Sequence, residues 1–382
     1  LNRVNSVTAS QIHGQISAVG KVFLLNSNGV IFGPSARVNV GALVAGAMKI
    51  TDQDFLNGNY KFTDGKGVVT NMGELTAEEG GLIALLAPQV INEGVIRAKK
   101  GAIVLAAGEA ITLTNLASNV TVVVDKPALD ALVENKHLVS APDGRVFMST
   151  MAAHQLARAV ISNTGTIEAT GAKRVGDVIR LEGNTIINAG VVDASNTNTT
   201  DANSPHPDSP QGSDITITAT KDVTNTGTIR SNGGSGGKIT ITATDKITNQ
   251  DKIEARGKVS TGSTDTTTVT TTASSLDKGG EVTLTAKDIV NEGEINASGQ
   301  IGGQVTLTAS QIINEGQIYA DGNLGGRITL TATQIINEGT INADGQIGGQ
   351  VELLADDIAL KTLAYVSGLR EDLFFRVTVV WA

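Results

Sequence analysis

The sequence predicts an all-β chain, a right-handed parallel β-helix of three-strand coils with a repeat of about 23 residues. Three observations predict it. Glycine pairs recur at Gly279-Gly280, Gly302-Gly303, Gly325-Gly326 and Gly348-Gly349, a period typical of solenoids. Each period opens with strict alternation, as in Val305, Leu307 and Ala309 against Thr306 and Thr308, the pattern of a half-buried strand. Aromatic residues make up only 3% of the chain and charged residues 18%, a solenoid composition rather than that of a globular enzyme.

Within one period the second apolar run centres on Ile312 and stops at the turn Asn314-Glu315-Gly316. The third runs from Ile318 to Ala320 and closes at Asp321-Gly322. Stacking such coils sets like residues in columns about 4.8 Å apart. Val282, Val305, Ile328 and Val351 form one column; Leu284, Leu307, Leu330 and Leu353 form a second. Ile289, Ile312, Ile335 and Ile358 form a third, and Ile295, Ile318 and Ile341 a fourth. A lone coil buries too little to offset the entropy of ordering it, so stability has to come from its neighbours.

Asn291, Asn314 and Asn337 form a fifth column, read as an internal amide ladder or a left-handed turn residue, with a sugar-binding row as the functional alternative. Glu292, Glu315 and Glu338 follow at the turn. Like charges at that spacing repel by about 0.9 kcal/mol per pair in water, so solvated, splayed side chains are expected.

A net charge of −9 argues against nucleic acid and anionic lipid as partners. With no cysteine, disulfides and thiolate metal sites are excluded. No apolar run approaches the ~20 residues of a membrane helix, so the chain is read as not membrane-spanning.

In residues 1–50 short apolar strands alternate with Asn, Gly and Ser turns: Ile12 to Ile16, Val22 to Leu25, Val30 to Phe32, Val38 to Val40 and Ala42 to Val44. Asn2-Arg3-Val4, Ile12, Gly14, Gln15, Ile16, Ala18, Gly20, Val22-Phe23-Leu24, Asn26, Asn28-Gly29-Val30, Phe32-Gly33, Val38-Asn39-Val40-Gly41 and Leu43-Val44-Ala45 stand in a fixed order. That order resembles the second half of the haemagglutination-activity, or two-partner-secretion, domain of filamentous haemagglutinins and related adhesins. Ser27 stands where the family's Asn-Pro-Asn-Gly turn has proline, which removes the fixed φ. Asn26, Ser27, Asn28 and Gly29 are therefore the candidate secretion motif: a tight turn that a transporter also reads. The chain starts at Leu1, mid-pattern, so a signal peptide and an Asn-Pro-Asn-Leu motif are expected upstream.

The resemblance continues through Asp52 to Leu56, Tyr60 to Phe62, Val69 to Gly73 and Gly81 to Ile96, and it covers roughly residues 1–170. Asn71-Met72-Gly73 and Asn92-Glu93-Gly94 are early copies of the repeat turn. Two segments read as short helices on the solenoid flank. Residues 126–137 carry Pro127 at a helix start, with Leu129, Leu132 and Val133 on one face; residues 150–160 carry Thr150 as N-cap. The turn returns at Asn163, Asn188, Asn225 and Asn249. Ser195 to Gly212 and Lys258 to Lys278 are polar excursions, the kind of loop in which binding often sits. Residues 1–170 are thus read as secretion domain and flanking coils, 171–364 as a β-helical shaft, and 365–382 as a non-repeat tail or aromatic cap.

His13, His137, His154 and His206 lie on separate elements without metal-ligand spacing, and acidic residues recur once or twice per coil at turns rather than clustering. No metal, cofactor or catalytic residue is assigned. Glycosylation sequons begin at Asn119, Asn198 and Asn296, with Asn198 on a predicted loop. The resemblance implies a secreted, non-enzymatic adhesin of the bacterial surface. Its partners would be an outer-membrane transporter and a host-cell or surface receptor, glycan included. Two alternatives stay open: the shaft of a haemolysin or contact-dependent toxin on the same route, and a β-helix carbohydrate-active enzyme.

Overall fold

In the computed structural model, residues 1–151, 159–171, 177–196, 211–258, 277–360, 365–367 and 376–379 are described. They form a parallel β-helix that divides into two compact units. One holds Leu1–Thr170, Asp177–Asp193 and Thr216–Val223; the other holds the rest, chiefly Thr224–Ala382.

In the second unit each coil carries three strands, such as Gln304–Thr308, Gln311–Asn314 and Gln317–Tyr319. All three pair in parallel with the same strands of the next coil, 23 residues on: Val305 with Ile328, Ile312 with Ile335, Ile318 with Ile341. Leu284, Leu307, Leu330 and Leu353 fall in one register column, and Ile289, Ile312, Ile335 and Ile358 in another. Alternation puts these aliphatics inside, where Leu307 and Ile312 are fully buried, and turns Thr306 and Thr308 outward. The turn glycines are dictated by how closely the coils approach. A Cβ on Gly316 would lie 2.0 Å from the Gly293 carbonyl oxygen. The pairing runs on into the tail, where Thr340 pairs with Tyr365 and Glu352 with Arg376. That backbone continues the ladder where the sequence pattern predicted a break, because strand pairing needs main-chain groups and not the repeat's side chains.

The first unit uses the same principle with coils of uneven length. Val69, Val90, Val133, Ile161 and Ile186 make one buried column, and Ile96, Val139, Ile167 and Val192 another. It also carries a small antiparallel sheet, Tyr60–Phe62 with Ala110–Thr114 with Thr121–Lys126, which the sequence pattern did not predict. The reason lies beneath it. Ala102–Ala107 is buried at every residue and Leu82–Ala87 likewise, so the outer face of those strands needs its own cover. Ile111, Leu113, Val124 and Phe62 supply it. Phe23 anchors the edge, stacked on Tyr60 at 5.6 Å and edge-on to Phe55 at 5.0 Å.

One of the two expected helices needs correction, and the other lies mostly outside the described residues. Over 126–137 there is no helix: the sheet strand runs to Lys126, a turn follows in which Leu129 is 74% exposed, and Leu132–Asn135 is a coil strand paired with Gln89–Asn92 and Val160–Asn163. The apolar face read as helical is a strand alternation that buries Val133 and Asn135. Over 150–160, residues 152–158 lie outside the described residues, and Val160 already opens the strand Val160–Asn163. Among the described residues the helix is elsewhere, at Asp52–Leu56, where the Thr51 side chain accepts the Asp54 N–H. No helix among them is long and apolar enough to cross a membrane. Most of both polar excursions, with His154, His206 and Asn198, also falls outside the described residues.

Leu307→Ala should cost about 2–5 kcal/mol, the range for a deleted core aliphatic. Its outward neighbour change, Thr306→Ala, should stay within about 0.5 kcal/mol. Denaturant midpoints of the two variants check this; equal shifts would contradict the inward column.

Candidate functional site

The four residues from Asn26 to Gly29 join the strands Gln15–Leu25 and Val30–Phe32. Their chemistry closes the turn from within. The Gly29 N–H donates to the Asn26 carbonyl at 2.8 Å, and the Asn28 N–H to Asn26 Oδ1 at 3.0 Å. This is an Asx turn superposed on a β-turn. The other end of the Asn26 amide points at the preceding segment, where Nδ2 donates to the Thr8 carbonyl at 3.0 Å and to Ser10 Oγ at 2.9 Å. Asn28 Nδ2 reaches the Ser6 carbonyl at 2.6 Å, and the Ser10 N–H returns to the Gly29 carbonyl at 3.0 Å. The turn therefore clamps residues 6–10 onto the coil.

Gly29 has φ +119°, and a Cβ there would meet the Val68 carbonyl oxygen at 2.9 Å, so no other residue fits without strain. Asparagine tolerates left-handed backbone too, but here Asn28 does not adopt it and only Gly29 lies in that region. The value of Asn28 is its amide. Burial sorts the four residues by role: Asn26 is 1% exposed and Gly29 is buried, while Ser27 is half-buried and Asn28 exposed. A partner that meets the folded turn touches Ser27 and Asn28. Asn26 is legible to it only in an unfolded chain.

The asparagine columns are buried hydrogen-bonded chains. In the second unit Asn225, Asn249, Asn291, Asn314 and Asn337 are joined Nδ2 to Oδ1 at 2.7–2.8 Å. In the first unit Asn71, Asn92, Asn135, Asn163 and Asn188 do the same. Each second amide hydrogen finds a backbone carbonyl, as Asn314 Nδ2 does with Thr340. Every Asn in these columns is at most 2% exposed, which removes the sugar-binding row as a reading. Asn135 was the member the sequence hid, since Lys136-His137 replaces the usual glycine turn. The glutamates beside the ladder, Glu292 and Glu315, are exposed, while Glu338 is half-buried. The sequon asparagine Asn296 is buried and bonded to Glu294, whereas Asn119 is exposed.

A second, shorter ladder lines the closing turns of the second unit. The Asp321 N–H donates to Ser298 Oγ at 3.0 Å, and the Asp344 N–H to Asp321 Oδ1 at 2.9 Å. Burial is the main cause that raises the Asp321 carboxyl from 3.8 to about 6; the Asp344 N–H opposes it and the Asp344 charge adds to it. Burial, then the Glu294 and Asp321 carboxylates, also raises the Tyr319 phenol and keeps it a neutral donor.

Residues 1–194 match the TPS secretion domain, a longer stretch than the roughly 170 residues of the sequence resemblance. Two curated relatives are each named heme/hemopexin-binding protein, both from Haemophilus influenzae. One is 36% identical over 154 residues, 37% of this chain and 17% of that protein. The other is 42% identical over 62 residues, 16% of this chain and 7% of that protein. The chain thus spans less than a fifth of the length of these relatives. Among solved structures, the HMW1 secretion domain from Haemophilus influenzae superposes with a TM-score of 0.56 over 94% of this chain and 85% of that one. At 22% identity that likeness speaks to the fold, a parallel β-helix.

Two predictions follow from the ladders. Asn314→Ala should cost about 1–3 kcal/mol by orphaning buried amide groups, and Asn314→Asp more, since a carboxylate cannot donate to Asn337. Chemical denaturation checks the order; an Asp variant as stable as wild type would contradict it. For Asp321 the native carboxyl holds its proton to a higher pH than the unfolded one. Its contribution to stability is thus fully present below the ordinary value of 3.8 and lost as pH rises through about 6. Asp321→Asn should therefore raise the melting temperature at pH 7.5 and lose that advantage at about pH 4; a pH-independent difference would contradict the assignment.

Proposed function

The chain belongs to the TPS secretion domain family, and on that premise we propose that it is the secretion domain and leading shaft of a surface adhesin. Proteins of this family are secreted, exported across the outer membrane by a two-partner system. The reading assigns the chain two tasks. Unfolded, it is recognised by its outer-membrane transporter through the segment around Asn26 to Gly29. Outside the cell, each coil then folds on the edge of the one before it, and the near-identical repeats from Gly279 onward hold a receptor-binding surface away from the cell. The role is adhesive and mechanical, not catalytic. The host-cell receptor belongs to this proposal too.

The observation that carries the reading is the turn itself, in which a family motif coincides with a built structural clamp. The parallel pairing supports the second task, because each coil presents the next with an edge of unpaired main-chain groups and a matching apolar column. A second reading is favoured by the relatives. Both are named for binding heme/hemopexin, and one shares 36% identity with this chain over 154 residues. On that reading the exported protein captures a heme carrier rather than a cell.

Secretion of the full-length protein together with its transporter tests the export task. Asn28→Ile removes the bond to the Ser6 carbonyl and the exposed amide, and secretion should fall roughly tenfold, the scale of one or two lost hydrogen bonds. Ser27→Pro fills the second turn position, which proline favours, and should stabilise the chain by about 0.4–1 kcal/mol with secretion undiminished. Equal secretion of Asn28→Ile and wild type would remove the export role of the motif. Transporter binding to denatured and to folded chain, each with and without the Asn28 change, separates recognition from folding.

A further inference from the structure

In the second unit the coils repeat almost residue for residue, so a departure from the repeat marks a position released from the stacking pattern. The coil from Gly302 to Leu324 departs at three outward places where its two neighbours agree with each other. Tyr319 stands where they have Asn296 and Asn342, Asn323 where they have Gln300 and Gln346, and Leu324 where they have Ile301 and Ile347. Tyr319 is the only aromatic residue between 224 and 360.

Tyr319 and Asn323 line one cleft of about 300 Å³ on the flank of this unit, together with Arg256, Asn296, Ser298 and Asp321. Three successive coils build it. Its floor is polar and buried: Asn296 is 7% and Ser298 8% exposed. Ser298 Oγ accepts the Asp321 N–H and keeps its own hydroxyl hydrogen to donate. Asn296 is held rigid by Glu294 Oε1 at 2.7 Å and by the Ser298 N–H at 2.9 Å. Half-buried Tyr319 and Asp321 form the walls, and one Asp321 oxygen is taken by the Asp344 N–H, which leaves the other for a ligand. Arg256 and Asn323 are exposed at the rim, and among the described residues the guanidinium has no hydrogen-bond or ion-pair partner.

We propose that this cleft is a binding subsite for a neutral sugar ring. One aromatic wall suits the apolar face of a pyranose. Carboxylate, amide and hydroxyl groups of mixed donor and acceptor character suit vicinal hydroxyls. Arg256 and Asp321 carry opposite charges at one small site, which disfavours a cation and an anion alike. The volume sits at the lower end of small-molecule pockets, so one or two rings fit rather than a long chain. The inference rests on the adhesin reading for its biological purpose, and on the cleft alone for its chemistry.

The test uses the purified 382-residue chain on a panel of immobilised β-galactosides, β-glucosides and α-mannosides, with sialylated and sulfated glycans as the charged arm. Binding to one or more neutral glycans is expected. Tyr319→Asn installs the residue of both neighbouring coils, so the fold is kept, and affinity for the best neutral glycan should fall about tenfold or more, the scale of one lost ring contact. Arg256→Ala should weaken the same binding. No neutral glycan bound, binding confined to the charged arm, or unchanged affinity in Tyr319→Asn would each overturn the assignment. Secretion of Tyr319→Asn should match wild type; its loss would mark the residue as part of the fold and overturn the assignment in turn, whereas failed export of Asn28→Ile alone bears only on the turn.

Discussion

Everything in this chain depends on register between parallel strands of successive coils. A slip of one residue would turn every buried aliphatic outward and break each amide column. The asparagine ladders are the part least tolerant of slippage. An aliphatic column is satisfied by any apolar neighbour, but Asn291 Nδ2 needs Asn314 Oδ1 opposite it, at 2.7 Å in a fully buried position. The ladder therefore specifies alignment, while the Val, Leu and Ile columns supply most of the burial. In the first unit Phe32 takes the ladder position in register with Asn71, so the amide chain there begins against an aromatic plug next to the family motif.

Register also explains what could be read from the sequence. From Gly279 onward the repeat is so regular that each column was visible as a 23-residue spacing, and the paired strands fall on it. Asn135 escaped because its turn lacks glycine and because Pro127 with three apolar residues imitates the start of a helix. Local propensity was overruled there by pairing on both sides. The antiparallel sheet escaped for a different reason. Its only signal was indirect: Leu82–Ala87 and Ala102–Ala107 are unbroken apolar runs, which cannot face water on either side. The helix at Asp52–Leu56 did carry a local signal, Thr51 three residues before Asp54, but it is only five residues long.

The candidate motif was legible as chemistry but not as geometry. Asn and Gly announced a turn, yet the sequence could not say that Asn26 is buried and spends its amide on Thr8 and Ser10. That distinction matters to how a motif of this kind acts. Two of its matched residues, Asn26 and Gly29, are hidden once the turn closes, which leaves half-buried Ser27 and exposed Asn28 accessible. A transporter that reads all four residues has to meet them before folding, and folding then removes the signal. On the proposed reading, recognition of the whole motif and its folding are exclusive states of one short segment, and that exclusion would give export a direction.

The same constraint decides where this chain can carry individuality. Inward positions are fixed by stacking, and turn glycines by backbone approach, as at Gly316. Only outward positions are free, and on most coils they hold Thr, Gln or Glu, residues that stack on themselves without consequence. An aromatic side chain at one such position leaves a large apolar area half in water with no repeat partner to cover it. Tyr319 occupies that position between Asn296 and Asn342, its backbone paired in register with both. Stacking does not require a ring there, since both neighbours manage with asparagine. The ring is thus left available to a partner outside the coil, which is the use the proposed sugar subsite makes of it.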